Sequence, residues 1–309
     1  MTTSGLTTFG VTGRDIITEA LESLGVLGVG QTLDDATEST CARTLEMMIK
    51  SWSAMDIGIW KNKEVALFLS NGGHQYEIGL SGDHATAAFV KTEVAAAAAV
   101  GESSLVVDDI TGISSGDYIG IELDDGSLQW TTVNGAPALS TIALTAALTD
   151  SVAIDNHVYT YTSKIPKPKS ISNARLHRSD DSEVPVEIVT RQEYLSLSNK
   201  TSAGTPNQIC FDDQGGSALL YVWPACDDVK TYLTMTARLP LEDLDERTND
   251  LDFPQEWFLP VATNLAILIA PKFGVRVPDE LKQTAIFYMD EMRTRDQEFL
   301  SVRFGVSKR

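Results

Sequence analysis

The sequence predicts an α+β protein, with a helical core, β-hairpins with a β-rich segment, and an inserted small all-β domain. Three observations carry that prediction. Apolar residues recur at steps of three and four near both ends of the chain. Through the middle they alternate or fall in short runs between turn residues. From about residue 81 to 165 the composition shifts to Ala, Thr, Ser, Gly, Val and Asp, with few cations. The expected division is therefore a discontinuous domain of residues 1–80 and 166–309, interrupted by a β domain at 81–165.

Thr12 followed by Asp15 has the spacing of a capping box, and Ile16, Ile17, Ala20, Leu21 and Leu24 then share one helical face up to a stop at Gly25. Thr32 with Asp35 predicts a second helix start. Its stripe is Cys41, Leu45, Met48, Ile49, Trp52 and Met55, which needs a partner, and the first helix is the nearest. After Trp60 the period falls to two: Val65, Leu67 and Leu69 alternate up to Asn71-Gly72-Gly73, and Gln75 to Ile78 follow as the return of a hairpin.

Within 81–165 short strands are expected at 104–107, 118–123, 128–133, 141–144 and 158–161, with Asp125-Gly126 a hairpin signal between two of them. The alanines at 95–99 are read as extended rather than helical. Lys164 to Lys169, punctuated by Pro166 and Pro168, closes the insert. Strands resume at 170–176, 184–189, 207–211, 219–223 and 232–237. Asp252, Phe253 and Pro254 then open a helix that is apolar almost all round and so expected to be buried, with Pro260 bending it or delaying its start. Gly274 ends it. Pro278, Asp279 and Glu280 open the last helix, whose stripe is Leu281, Ala285, Tyr288, Met289, Met292 and Phe299.

At 309 residues, 43% of them hydrophobic and 22% charged, the chain has the composition of a folded protein with one or two cores. No window approaches the roughly 20 apolar residues of a membrane helix, and the opening Met1 to Gly10 lacks the basic and apolar regions of a secretory signal. The expectation is synthesis in a cytoplasm, with no membrane partner. Cys41, Cys210 and Cys226 are odd in number and lack CxxC spacing, which argues for buried thiols over disulfides or zinc. A formal charge of −19 speaks against tight nucleic-acid binding, because that needs Lys and Arg to neutralise phosphates. The C-terminal stretch, with Lys272, Arg276, Lys282, Arg293, Arg295, Arg303, Lys308 and Arg309, is mildly basic against this background.

Catalytic constellations are sparse. His74, His84, His157 and His177 show no metal-ligand spacing, and the glycines at 25, 28 and 30 follow a helix where a dinucleotide loop would follow a strand. There is no Walker motif and no GxSxG elbow. The pairs Asp108-Asp109, Asp124-Asp125, Asp212-Asp213 and Asp227-Asp228 offer carboxylates for a glycosidase dyad or a calcium site, but each stands beside turn residues, where Asp serves the local backbone. The reading expects no catalytic residue, cofactor or metal.

Several segments, in order, carry a resemblance. They are Leu45 to Met55 (LEMMIKSWSAM); Arg191-Gln-Glu-Tyr194 leading to Lys200, Gly204 and Pro206; Leu220-Tyr-Val-Trp-Pro224; Leu239 to Leu244 (LPLEDL); and Phe253-Pro-Gln-Glu-Trp257 leading to Leu265 to Gly274 (LAILIAPKFG). In this order and spacing the chain resembles the head-to-tail adaptor, or tail accessory factor, family of short-tailed bacteriophages. The resemblance spans nearly everything outside 81–165, which departs from the smallest members.

It implies a helical adaptor core and a virion protein that forms a dodecameric ring beneath the portal protein, seals the packaged DNA and passes it toward the tail nozzle, spikes or fibres. An acidic lumen would let DNA through without holding it. Phe299, Leu300, Arg303, Phe304, Lys308 and Arg309 are the expected portal-binding residues, since apolar side chains interleaved with cations suit a docking segment better than a solvated tail. Two rivals stand beside this reading: a peptidoglycan hydrolase using one of the carboxylate pairs, and a glycan-binding tail subunit using the 81–165 domain.

Overall fold

In the computed structural model the described residues are 9–54, 59–244, 246 and 248–295. Among them the chain forms fifteen strands in three sheets and five α-helices: α1 (Gly13–Ser23), α2 (Asp35–Ala54), α3 (Arg191–Ser196), α4 (Phe258–Ile269) and α5 (Asp279–Arg295). The expected helical adaptor core is therefore corrected. The protein is mostly β, and α+β describes it only loosely. The sheets win because the long run from 61 to 240 is rich in β-branched and aromatic residues at period two, whereas helical periodicity is confined to the two ends. Two compact units result, Met1–Trp60 with Leu241–Arg309, and Lys61–Pro240.

The first unit is built on α1, α2, α4 and α5. Thr12 caps α1 with the reciprocal bonds of a capping box: Asp15 N donates to Thr12 Oγ1 at 3.3 Å, and Thr12 N donates to Asp15 Oδ2 at 3.0 Å. The cap of α2 is Asp34 in place of Thr32: its Oδ1 accepts from Ala36 N at 3.1 Å and Thr37 N at 3.0 Å. Arg14 on α1 reaches the wholly buried Glu38 of α2 with a two-pronged contact of 3.0 and 2.8 Å. Ile16, Ile17 and Leu21, the α2 stripe through Trp52, Val261, Leu265 and Ile269 of α4, and Met289 and Met292 of α5 form one core. A 3₁₀ turn at Gln255–Trp257 delays α4, which leaves Pro260 in its first turn, where its missing N–H costs no hydrogen bond.

In the second unit, a five-stranded sheet has the order β11 (Glu183–Pro185), β10 (Ser170–His177), β15 (Tyr232–Arg238), β1 (Asn62–Phe68), β3 (Ala85–Thr86). A four-stranded sheet has β12 (Glu187–Ile188), β13 (Gln208–Asp213), β14 (Ala218–Trp223), β2 (Gln75–Ile78), with β12 and β13 parallel. Val65, Leu67, Leu233 and Met235 from the first sheet share a core with Ile78, Ile209, Leu220 and Val222 from the second. The third sheet has the order β7 (Leu128–Thr132), β6 (Tyr118–Glu122), β9 (His157–Tyr161), β4 (Val90–Ala96), β5 (Ser104–Val107), β8 (Thr141–Ala143). It has its own core of Val94, Leu105, Ile119, Ile121, Ile142 and Val158.

Phe68, at the end of β1, joins the first and third sheets. Its ring lies 4.8 Å from Tyr159, 5.2 Å from Phe89 and from Trp130, and 6.1 Å from Tyr161 and from Tyr232. Gly120 stands opposite Trp130 in the β6–β7 ladder, and a Cβ there would meet the indole at 2.7 Å, so glycine lets that ring lie across the neighbouring strand.

One turn of the third sheet is strained. Ala138 and Thr141 exchange hydrogen bonds of 3.1 and 2.9 Å around Leu139 (φ 49°) and Ser140 (φ 63°). That is the conformation for which two-residue hairpins take Asn-Gly, yet here it holds a leucine 96% exposed. Replacing Leu139-Ser140 by Asn-Gly is expected to raise unfolding stability by about 1–3 kcal/mol, from the cost of holding non-glycine residues at positive φ. Urea denaturation checks this, and an unchanged midpoint would show the turn to be relaxed.

Candidate functional site

The residues just before and after the α1 cap build an apolar recess in the first unit. Val11 occupies the position preceding the cap and Ile16 the fourth helical position, the two places of a hydrophobic staple, and both are buried. Phe9 continues the row, its ring 6.1 Å from that of Phe258 at the start of α4. With Leu259 and Ala262 they floor a groove of about 460 Å³, edged by the carboxylates of Asp15 and Glu19. Phe9 and Leu259 are 65% and 45% exposed, so the groove presents apolar surface to solvent. Sequence reasoning placed Ile16 in a core stripe but did not find this groove. The signal was the Phe9-Gly-Val11 triplet ahead of a capping box.

In the second unit the aromatic seam holds a histidine away from water. The His84 ring stacks on Trp130 at 3.8 Å and 4°, and its Nδ1 is 2.6 Å from the hydroxyl of Tyr161. Burial first, and then the nearby Lys164 ammonium, push the imidazole down to a pKa of about 4 from its ordinary 6.5. The folded chain therefore binds fewer protons at this ring than the unfolded chain does between those values, and stability falls as pH is lowered from 6.5 toward 4. His84→Gln is expected to flatten that part of a plot of urea midpoint against pH. An unaltered slope would remove His84 as its source.

Glu122 of β6 is buried and held by three contacts. His157 N donates to its Oε2 at 2.9 Å, His157 Nδ1 lies 3.4 Å from the same oxygen, and Lys230 Nζ is 3.2 Å from Oε1. Burial favours the neutral acid, but His157 and Lys230 outweigh it, so the carboxyl titrates below its ordinary value. Its contribution to stability is therefore complete above that value and is lost only as pH falls further, through its folded pKa, a window more acidic than that of His84.

Three of the paired aspartates serve their own turns. Asp109 Oδ1 accepts from Thr111 N at 2.8 Å, Asp125 Oδ1 from Ser127 N at 2.8 Å, and Asp228 Oδ1 from Lys230 N at 3.0 Å. Asp212 is paired with Arg191. Asp124 accepts from Ser151 Oγ at 2.7 Å and Ala153 N at 2.8 Å. Hydrogen bonding, first from the side chains of Thr111, Ser151 and Ser127 and then from backbone N–H groups, lowers the carboxyls of Asp109, Asp124 and Asp125. Among the described residues no three His, Cys, Asp or Glu side chains are grouped to hold a metal ion, and no helix is long and apolar enough to cross a membrane. Cys41, Cys210 and Cys226 are buried free thiols, each pushed up by burial.

The residues expected to bind a portal, Phe299, Leu300, Arg303, Phe304, Lys308 and Arg309, lie outside the described residues.

No protein family matches the chain, and no curated protein is significantly similar to it.

Proposed function

We propose that this chain is a structural, non-enzymatic virion protein that forms the head-to-tail connector ring beneath a phage portal and gives packaged DNA a passage to the tail. One observation carries the reading: segments far apart in sequence that bear the adaptor resemblance converge in space. Leu45, Met48, Ile49 and Trp52 share a core with Phe253, Trp257, Leu265 and Ile269. In the second unit, Tyr194 of the Arg191–Tyr194 segment lies 5.0 Å, ring to ring, from Tyr221 of the Leu220–Pro224 segment. Residues placed together by packing are those whose order would define a fold family, which supports reading the order as meaningful. The net charge of −19 suits a conduit from which DNA must slide freely.

In this proposal the mostly β body carries the ring, and residues 299–309 reach the portal. Co-sedimentation of the purified chain with portal rings from the same phage tests it: the chain should move to the portal fractions. A chain left at the monomer position, together with release of muropeptides from peptidoglycan, would favour the hydrolase reading instead.

A further inference from the structure

We propose that the groove between α1 and α4 is the docking site for this chain's own C-terminal segment, residues 299–306. The groove asks for an apolar occupant with positive charge. Its floor is Phe9, Val11, Ile16, Phe258 and Leu259, its edge carries Asp15 and Glu19, and among the described residues no Lys or Arg lines it. Asp15 is committed to the α1 cap, whereas Glu19 is exposed and has no hydrogen-bond or ion-pair partner among the described residues.

Residues 299–306 read Phe-Leu-Ser-Val-Arg-Phe-Gly-Val, five large apolar side chains and one cation with no acid, and Lys308 and Arg309 follow, in a chain whose net charge is −19. Apolar surface and charge thus match on both sides, with Arg303 between Val302 and Phe304 suited to meet Glu19.

Phe304 lies nine residues beyond Arg295, the end of α5, which spans up to about 30 Å when extended. Helix α5 packs in the same core as α4, through Met289 and Met292. A tethered segment acts at an effective concentration near the millimolar range, so docking within the chain outcompetes docking between dilute copies. The docking does not depend on the connector reading. If both hold, the segment must leave its own groove before it meets a partner.

Disulfide trapping in the full chain tests the proposal. Leu259→Cys with Phe304→Cys, under oxidised glutathione, is expected to give a cross-link within one chain. The control pairs Phe304→Cys with Leu268→Cys, which is similarly exposed at 48% but nine residues along the helix and so on the opposite side. The three native thiols are buried and should stay silent. Both cysteines share the same tether, so docking alone separates them: cross-linking at 259 should run about tenfold faster than at 268 or more, and adding Glu19→Lys or raising salt should slow it. Equal rates at 259 and 268, no cross-link, or a covalent dimer from docking onto a second copy would each overturn the proposal.

Discussion

Phe68→Ala is expected to destabilise the protein by about 3–5 kcal/mol, the range for removal of a buried aromatic ring. Phe68 is 4% exposed, and its ring packs on five others drawn from two sheets and the segment before β4. Its loss leaves a cavity that the neighbours cannot easily close, because Tyr159 is fixed by a 3.1 Å bond from its hydroxyl to the carbonyl of Lys230, and Trp130 by its stack on His84. The gap therefore adds to the lost transfer energy. Urea denaturation should show the loss, and hydrogen exchange should quicken in peptides covering β1, β9 and β15. A loss below about 1 kcal/mol, the range of a site that collapses fully, would mean that the sheets are not joined through this ring.

Trp257→Ala is expected to cost a similar amount, about 3–5 kcal/mol, in the other unit. The Trp257 indole lies 5.4 Å from Trp60, 6.0 Å from Trp52 and 6.0 Å from Phe253, so four aromatic residues from three stretches of chain meet at the start of α4. The indole of Trp60 is itself tied to the carbonyl of Asp252 at 3.3 Å. Faster exchange should centre on α2 and α4, and the intrinsic fluorescence spectrum should shift as the remaining indoles meet water. Exchange unchanged in α2 would contradict the packing.

Much of the local structure was legible because it rests on short-range chemistry. The Thr12–Asp15 box, the stripe of α2, the Asp125-Gly126 turn and the strands from 104 to 161 all declare themselves within ten residues or so. The start of α2 was misplaced because Thr32 and Asp34 both satisfy a capping pattern and only the backbone geometry chooses between them. The balance of the fold was not legible: Asn62 pairs with Arg238, and β10 is joined to β1 through β15, and no local period encodes such partners.

The aromatic seam was hidden for the same reason. Phe68, Tyr159 and Tyr232 stand on strands far apart in sequence, each reading alone as an ordinary alternate residue. The groove escaped because its two halves, Phe9 to Ile16 and Phe258 to Ala262, come from opposite ends of the chain.

Light-scattering mass of the purified chain, alone and after mixing with phage portal rings, tests the proposed connector function most directly. The account predicts a gain on each portal of about twelve chain masses of 33.5 kDa, the closed ring of a head-to-tail interface. A portal mass unchanged by any concentration of the chain would contradict it.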